Sequence, residues 1–504
     1  MERRCGIIAC IAAAILSVAA IWLGALNQDE GWYLYAAELV RDGLMPYRDF
    51  FYTQGPLMPI VYSAFSWAWT SAGLVGARAV TLAIGLAGIG LSVALVRELV
   101  PAEKRTAASV TVILLLACNL YHLYYLTIPK TYALASFFVA GGYYLLVRAM
   151  KTPESARPFT APGFYFAAGL SLAFAAGTRI SLGALLAVCG FGLLFMFFTR
   201  RFAFLWFGLG GLSGLSIVYG PFLFDSGAFE GLCAAQKYHA ARGGFSAVFV
   251  TGSLSRLVRW YLPVWILLGL AVAMRRIQGS SGKEECAARG ACGLLFAGFL
   301  AVFLVQMLAP FPYEDYQVPV MGLAAVLASV LVSVRVMETR LAVVLAMGLA
   351  FATSFGSPLL EKWTTDGQDR FWSIIKDKPE LMKLQEAARE IDAMDPGGKT
   401  ILTQDLYLAI ETGRRVPAGL EMGPFSMLDD ASWRAILEDP ESPRIAALSG
   451  YSFAIDPPVC RERNPEKQRE YRDIVARRYA LKREIKAFGQ NSTLLQIYER
   501  REEL

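Results

Sequence analysis

Asn27-Gln28-Asp29-Glu30-Gly31-Trp32-Tyr33-Leu34-Tyr35 follows directly on an apolar run that begins at Cys5, and the reading of this junction decides the fold. An apolar stretch of about 20 residues crosses the hydrocarbon core of a bilayer as a helix. Glu2-Arg3-Arg4 ahead of the run suits a signal peptide. The run is longer than a signal core, however, and no small-residue cleavage site precedes Asp29, so a retained anchor is expected. A carboxylate pair thus stands where a first membrane helix leaves the bilayer, with aromatic residues close behind it.

The same apolar signature recurs downstream. Of 504 residues, 55% are hydrophobic and 18% charged, and the mean hydropathy is +0.43. Soluble domains run near half apolar and a quarter charged, so this is a membrane composition. Candidate spans fall at residues 5–26, 79–96, 107–126, 132–147, 163–176, 180–198, 202–222, 260–274, 291–309, 318–334 and 341–355, about eleven in all. Residues 56–70 are apolar too, but short, bounded by Pro56 and rich in Trp and Tyr, which marks an interfacial helix.

Setting that segment aside gathers the basic loops on one side. Arg97, Lys104, Arg105, Arg148, Lys151, Arg157, Arg200, Arg201, Arg275, Arg276, Lys283, Arg289, Arg335 and Arg340 then join Arg3 and Arg4. The positive-inside bias makes that side cytoplasmic, in a cytoplasmic (inner) membrane. The long loops 27–78 and 224–259 face outward, as does everything after the last span. The first domain is therefore residues 1–357, a multispanning part, and the second is residues 358–504, an extracytoplasmic soluble part.

Composition also excludes. The +6 surplus of 48 Lys and Arg over 42 Asp and Glu belongs in cytoplasmic loops, and no basic, aromatic-interleaved patch points to nucleic acid. Two histidines and eight cysteines without a CxxC pair leave no room for a His/Cys zinc site. Cys233 and Cys460 are the pair an oxidising compartment would allow, and two unpaired thiols is the simpler reading.

Asp29 and Glu30 have two readings. As an N-cap and first-turn acid they would only stabilise a helix starting near Trp32. As a carboxylate pair at a helix mouth they suit a site that reaches a polar head carried by a lipid. The surrounding sequence favours the second. Asp-Glu after a first span with Tyr33 behind it, an outer loop through Tyr47-Arg48-Asp49-Phe50-Phe51 and Gln54-Gly55-Pro56-Leu57 into an interfacial helix, and Arg78 opening the second span resemble the GT-C membrane glycosyltransferases. More narrowly, they resemble the branch containing protein O-mannosyltransferases, lipid A aminoarabinose transferase and their bacterial relatives. Gly177-Thr178-Arg179 and Tyr313-Glu314-Asp315-Tyr316-Gln317-Val318-Pro319 are compatible with it.

The resemblance implies a membrane all-α GT-C fold with outer juxtamembrane helices. It also implies transfer of a sugar from a polyprenyl-phosphate donor to an outer-face acceptor, with inversion, the acidic motif after the first span being the catalytic signature. Asp29 is then the general base that takes the acceptor hydroxyl's proton. Glu30 orients the acceptor or helps hold a divalent cation, which is optional in this class. Arg78, Lys130 and Arg179, basic residues on the outer side against the charge bias, are the candidates to stabilise the departing phosphate, with Tyr316 as a hydroxyl donor. Tyr33, Tyr47, Asp49 and Gln54 are candidates for the sugar or acceptor pocket. The loop 224–259, with Asp225, Glu230, Lys237, Tyr238, His239 and Arg242, would cover the acceptor site. Glu314 and Asp315 would repel a phosphate unless paired. The acceptor itself is a glycan, a lipid or a protein.

From Pro358 on, the pattern turns mixed: a helix over 378–394, a short strand at 400–403, a helix over 407–412 ended by Gly413, and strands at 451–455 and 494–498. That is a small α/β domain without a phosphate loop, read as an accessory lid or acceptor-binding domain packed on the outer face. The alternatives are a polysaccharide polymerase or ligase, a transporter of envelope-glycan precursors, and a scaffold. The transporter lacks internal repeats and acids inside the spans, and the polymerase class places its large outer loop late in the chain, whereas here the acid-bearing loop comes first.

Overall fold

The first helix of the computed structural model, α1 (Glu2–Leu23), is long and apolar enough to cross a membrane, with Ile7, Ile11 and Ile15 each more than half exposed. Residues 2–153, 159–196, 202–241, 246–273, 283–335, 348, 378–426, 428–453, 464–490 and 492–501 are described. After a four-residue break comes α2 (Gln28–Arg41), which starts earlier than the sequence suggested because Asn27, not Asp29, is the N-cap. The outer loop continues into α3 (Leu57–Ser63) and α4 (Ser66–Leu99). Ala72 and Gly73 leave helical geometry inside α4, Gly73 at φ 55°. This break separates the interfacial segment from the membrane-crossing residues 74–99.

α5 (Arg105–Leu116) and α6 (Leu120–Thr127) form one bent unit, turned by 72° where Asn119 caps α6. α7 (Thr131–Lys151), α8 (Thr160–Thr178), α9 (Gly183–Phe195) and α10 (Ala203–Leu223) follow. α8 and α10 close on each other through glycine: a Cβ on Gly210 would lie 1.9 Å from the Phe166 carbonyl oxygen, and one on Gly169 would lie 2.0 Å from that of Phe207. Small residues allow such backbone approach where apolar lipid gives helices little other reason to associate.

α11 (Ser226–Ala241) and α12 (Ala247–Trp260) run through the second long loop, and α13 (Leu262–Ala273), α14 (Lys283–Met307) and α15 (Val318–Arg335) complete the bundle. A 3-10 turn, Glu314–Gln317, leads into α15.

By length and apolarity six of the described helices can cross a membrane, or seven with the bent α5–α6 pair. The sequence suggested about eleven spans. Three of the remaining segments are helical: α9 has 13 residues, about 20 Å at 1.5 Å per residue against a core of about 30 Å, and α13 runs to the edge of the described residues. The third, α8, is an apolar helix of 19 residues. The candidate span at 341–355 and the boundary at 357/358 lie outside the described residues.

The C-terminal part holds α16 (Glu380–Met394), α17 (Leu406–Thr412), α18 (Asp430–Glu438), β1 (Ile445–Leu448), α19 (Pro465–Arg478), β2 (Tyr479–Phe488) and β3 (Thr493–Arg500). The sheet is antiparallel in the order β1-β3-β2. Gly413 ends α17 in the left-handed conformation, as its position suggested. Residues 400–403 pair with β1 only through an isolated bridge between Leu402 and Ala446. Residues 451–453 form a turn rather than the expected strand, with 454 and 455 outside the described residues.

This part packs against α2 and α4. Trp32, Tyr33 and Leu34 of α2 share one buried apolar cluster with Leu406, Tyr407, Ile445 and Ile497. A Cβ on Gly31 would sit 2.2 Å from the Tyr407 amide nitrogen, so only glycine lets α17 dock there. Glu411 of α17 accepts from the Leu74 amide at 2.7 Å, capping the membrane-crossing half of α4.

Candidate active site

The N-terminus of α2 presents two acids in opposite directions. Asn27 accepts from the Asp29 amide at 3.1 Å while Glu30 accepts from the Asn27 amide at 2.9 Å, a capping box that fixes the first turn. Glu30 is fully buried, and both its oxygens also face Arg78, which donates from Nε at 2.8 Å and from Nη2 at 2.7 Å. Arg78 donates further to the carbonyls of Ile21 and Gly24 (Nη1, 3.0 and 2.9 Å) and Ala25 (Nη2, 3.1 Å), the frayed end of α1. A guanidinium has five N–H donors. All five are engaged, so Arg78 has none to offer a phosphate without breaking this clasp, and its task is to bind α1, α2 and α4 together.

Asp29 turns the other way. Its side chain is 28% exposed, with Oδ1 accepting from Trp32 Nε1 at 3.1 Å and Oδ2 lying 2.8 Å from Lys130 Nζ. Lys130 precedes α7 and is itself buried. It also approaches Asp315 Oδ2 at 3.3 Å, and the Tyr132 hydroxyl donates to the same oxygen at 2.8 Å. Burial by itself would discharge the ammonium, but Asp29, Tyr132 and Asp315 outweigh it and hold its pKa well above the ordinary lysine value.

Next to this triad lies Arg179, at the end of α8. Its guanidinium stacks between the rings of Tyr132 (4.9 Å) and Tyr316 (4.7 Å) and donates from Nη1 to Thr131 Oγ1 at 3.1 Å. Arg179 is 7% exposed and its Nε is buried without a partner. Tyr33 completes the group: burial first, then Asp29, raises its phenol pKa, while Arg179 and Lys130 oppose. The first outer loop reaches this place because Gly55 presses against the end of α8, where a Cβ would lie 2.2 Å from the Gly177 carbonyl oxygen.

Five of the candidates therefore converge: Asp29, Tyr33, Lys130, Arg179 and Tyr316. Glu30 and Arg78 sit behind them as a sealed pair. Tyr47 is buried in an aromatic layer, its ring 6.0 Å from Tyr52 and 5.4 Å from Phe222, and its hydroxyl donates to the Gln54 carbonyl. Asp49 is a surface turn residue: it pairs with Arg48 at 2.8 Å, accepts from the Met45 amide at 2.7 Å, and the Arg48 guanidinium holds its carboxyl below the usual range. The loop 224–259 packs on this one through Arg48 and Asp225 (3.4 Å) and through Phe51 and Tyr238 (5.8 Å). Arg242 and Cys460 lie outside the described residues, and of the His239 side chain nothing is described.

Sequence reasoning treated Glu314 and Asp315 as a difficulty. Both are paired: Glu314 with Arg256 at 2.9 Å and Asp315 with Lys130. Asp315, Thr131 and Tyr132 are the additions, and the signal for the last two was a polar Lys-Thr-Tyr run opening an apolar helix. The side chains do not fit a divalent cation. Glu30 is taken up by Arg78 and the cap, an ammonium stands between Asp29 and Asp315, and among the described residues no three His, Cys, Asp or Glu side chains converge on one point.

No protein-family model matches the sequence, and no curated protein matches it either. The three-dimensional structure does have counterparts. Over 98% of this chain and 97% of the other, it is similar to ArnT from Cupriavidus metallidurans bound to undecaprenyl phosphate, with a TM-score of 0.63 and 14% sequence identity. The apo state of the same protein is similar over the same shares, with a TM-score of 0.57 and 12% identity. The fold is GT-C. The match runs through the C-terminal part as well as the helical bundle, which agrees with the core they share.

Proposed function

We propose that this protein is an inverting glycosyltransferase of the cytoplasmic membrane, taking a sugar from a polyprenyl-phosphate carrier and giving it to a glycan, lipid or protein acceptor on the outer face. The observation that carries the reading is a buried guanidinium, Arg179, whose Nε–H has no partner, with the partly exposed carboxylate of Asp29 reached through Tyr33, which feels the charge of both. Buried polar groups are almost always satisfied, so an orphaned cationic donor in a site asks for an anion. The GT-C fold, shared with a protein that binds undecaprenyl phosphate, supports a lipid-borne phosphate as that anion.

In this reading the acceptor hydroxyl gives its proton to Asp29 as its oxygen attacks the anomeric carbon. The bond from that carbon to the phosphate oxygen breaks on the opposite face, and the phosphate keeps the electron pair. Arg179, with the Tyr316 hydroxyl beside it, meets the charge that develops there. Lys130 steadies the base rather than the phosphate. Glu30 and Arg78 hold the helix end that carries Asp29.

Mass spectrometry of envelope glycans from cells with and without the gene tests the function. One sugar missing from one glycan, lipid or glycoprotein in the deleted strain is expected, and it names donor and acceptor together. Identical envelopes in the two strains would refute the transferase reading.

A further inference from the structure

Lys130 lies between two carboxylates. Its Nζ is 2.8 Å from Asp29 Oδ2 and 3.3 Å from Asp315 Oδ2, carboxylates brought from the α2 N-terminus and from the turn before α15. The rings of Tyr132 and Tyr125 face the ammonium at 5.0 and 5.7 Å, and the residue is 6% exposed. Two carboxylates held this close repel unless a cation separates them.

We propose that the Lys130 ammonium is a built-in substitute for a divalent cation in this site, joining Asp29 to Asp315 and fixing the direction in which Asp29 accepts a proton. The proposal rests on the transferase reading of Asp29, and it makes Lys130 a positioning residue. It carries a specific corollary. Shortening Lys130 to alanine leaves two carboxylates facing across a gap of ammonium size, which is a place for a divalent ion. The native protein has its cation covalently attached and has no use for one.

The test uses the full-length protein and Mn²⁺ alone as probe. Electron paramagnetic resonance is expected to show Mn²⁺ bound by Lys130→Ala, and bound neither by the native protein nor by Lys130→Ala combined with Asp315→Asn. This readout needs no sugar donor, so it stands even if the transferase reading falls. Transfer is then followed in membrane vesicles charged with undecaprenyl-phosphate-linked sugar from metabolically labelled cells. Native transfer is expected to be indifferent to EDTA and to Mn²⁺, Lys130→Arg to stay within about tenfold of it, and Lys130→Ala to lose about 100-fold and regain at least tenfold with Mn²⁺.

Loss of native transfer in EDTA overturns the proposal whether or not any variant folds. So does a folded Lys130→Ala that binds no Mn²⁺, or one that binds it without recovery while native vesicles transfer. Selective Mn²⁺ binding by Lys130→Ala with no transfer from native vesicles upholds the placement of the ammonium and overturns the transferase reading instead.

Discussion

Asp29 and Glu30 are neighbours in the chain with the same chemistry, and the fold treats them as opposites. Glu30 is sealed, with a capping bond and both oxygens on Arg78. Asp29 is partly open and faces a lysine, a tryptophan and a mouth lined with tyrosine. The two arginines divide the same way. Arg78 is saturated by Glu30 and three carbonyls of the α1 end, whereas Arg179 keeps a buried Nε without a partner. Between the two arginines the difference is an unspent donor, which Arg179 has and Arg78 lacks; between the two acids it is exposure.

The comparison breaks first on the sealed side. Glu30→Gln leaves Arg78 as a buried charge without its counter-ion, a change that typically costs about 3–5 kcal/mol. The expected result is loss of folded protein in detergent, read by thermal unfolding, with any surviving molecules retaining transfer. A stable but inactive Glu30→Gln would move Glu30 into the chemistry. On the open side, Arg179→Lys removes the planar stack between Tyr132 and Tyr316 while keeping a charge. Transfer is expected to fall by about 100-fold through kcat, with unfolding nearly unchanged.

A smaller effect lies in the C-terminal part. Asp405 is buried, its Oδ2 has no partner, and burial raises its pKa above 3.8. The folded state therefore holds this proton more tightly than the unfolded one. Its contribution to stability is complete below pH 3.8 and is lost as pH rises through the folded pKa. Asp405→Asn, which keeps an acceptor for the Tyr407 hydroxyl, is expected to gain about 1 kcal/mol at neutral pH and to flatten that dependence. Unfolding followed from pH 4 to pH 8 checks it.

Much of this was legible in sequence. The first apolar helix and the acidic motif behind it were readable from hydropathy, and Lys130 and Arg179 stood out as basic residues on the outer side; Tyr33 and Tyr316 were suggested only by the resemblance. The assignments within that group were not. Asp29 and Glu30 look alike at a helix start, and Arg78 and Arg179 look alike at helix ends. Only the hydrogen-bond partners around each tell them apart, and most of those come from segments distant in the chain. The unity of the two halves was hidden for the same reason. Gly31 reads as a gap between aromatics until Tyr407 is seen to press on it.

The central claim is that Asp29 is the base and Glu30 is not. It is tested most directly by sugar transfer in vesicles carrying Asp29→Asn, with insertion and unfolding measured on the same preparation. The account predicts a loss of about 100- to 10,000-fold in a protein that inserts and unfolds like the native one. Undiminished transfer by that folded variant would contradict it.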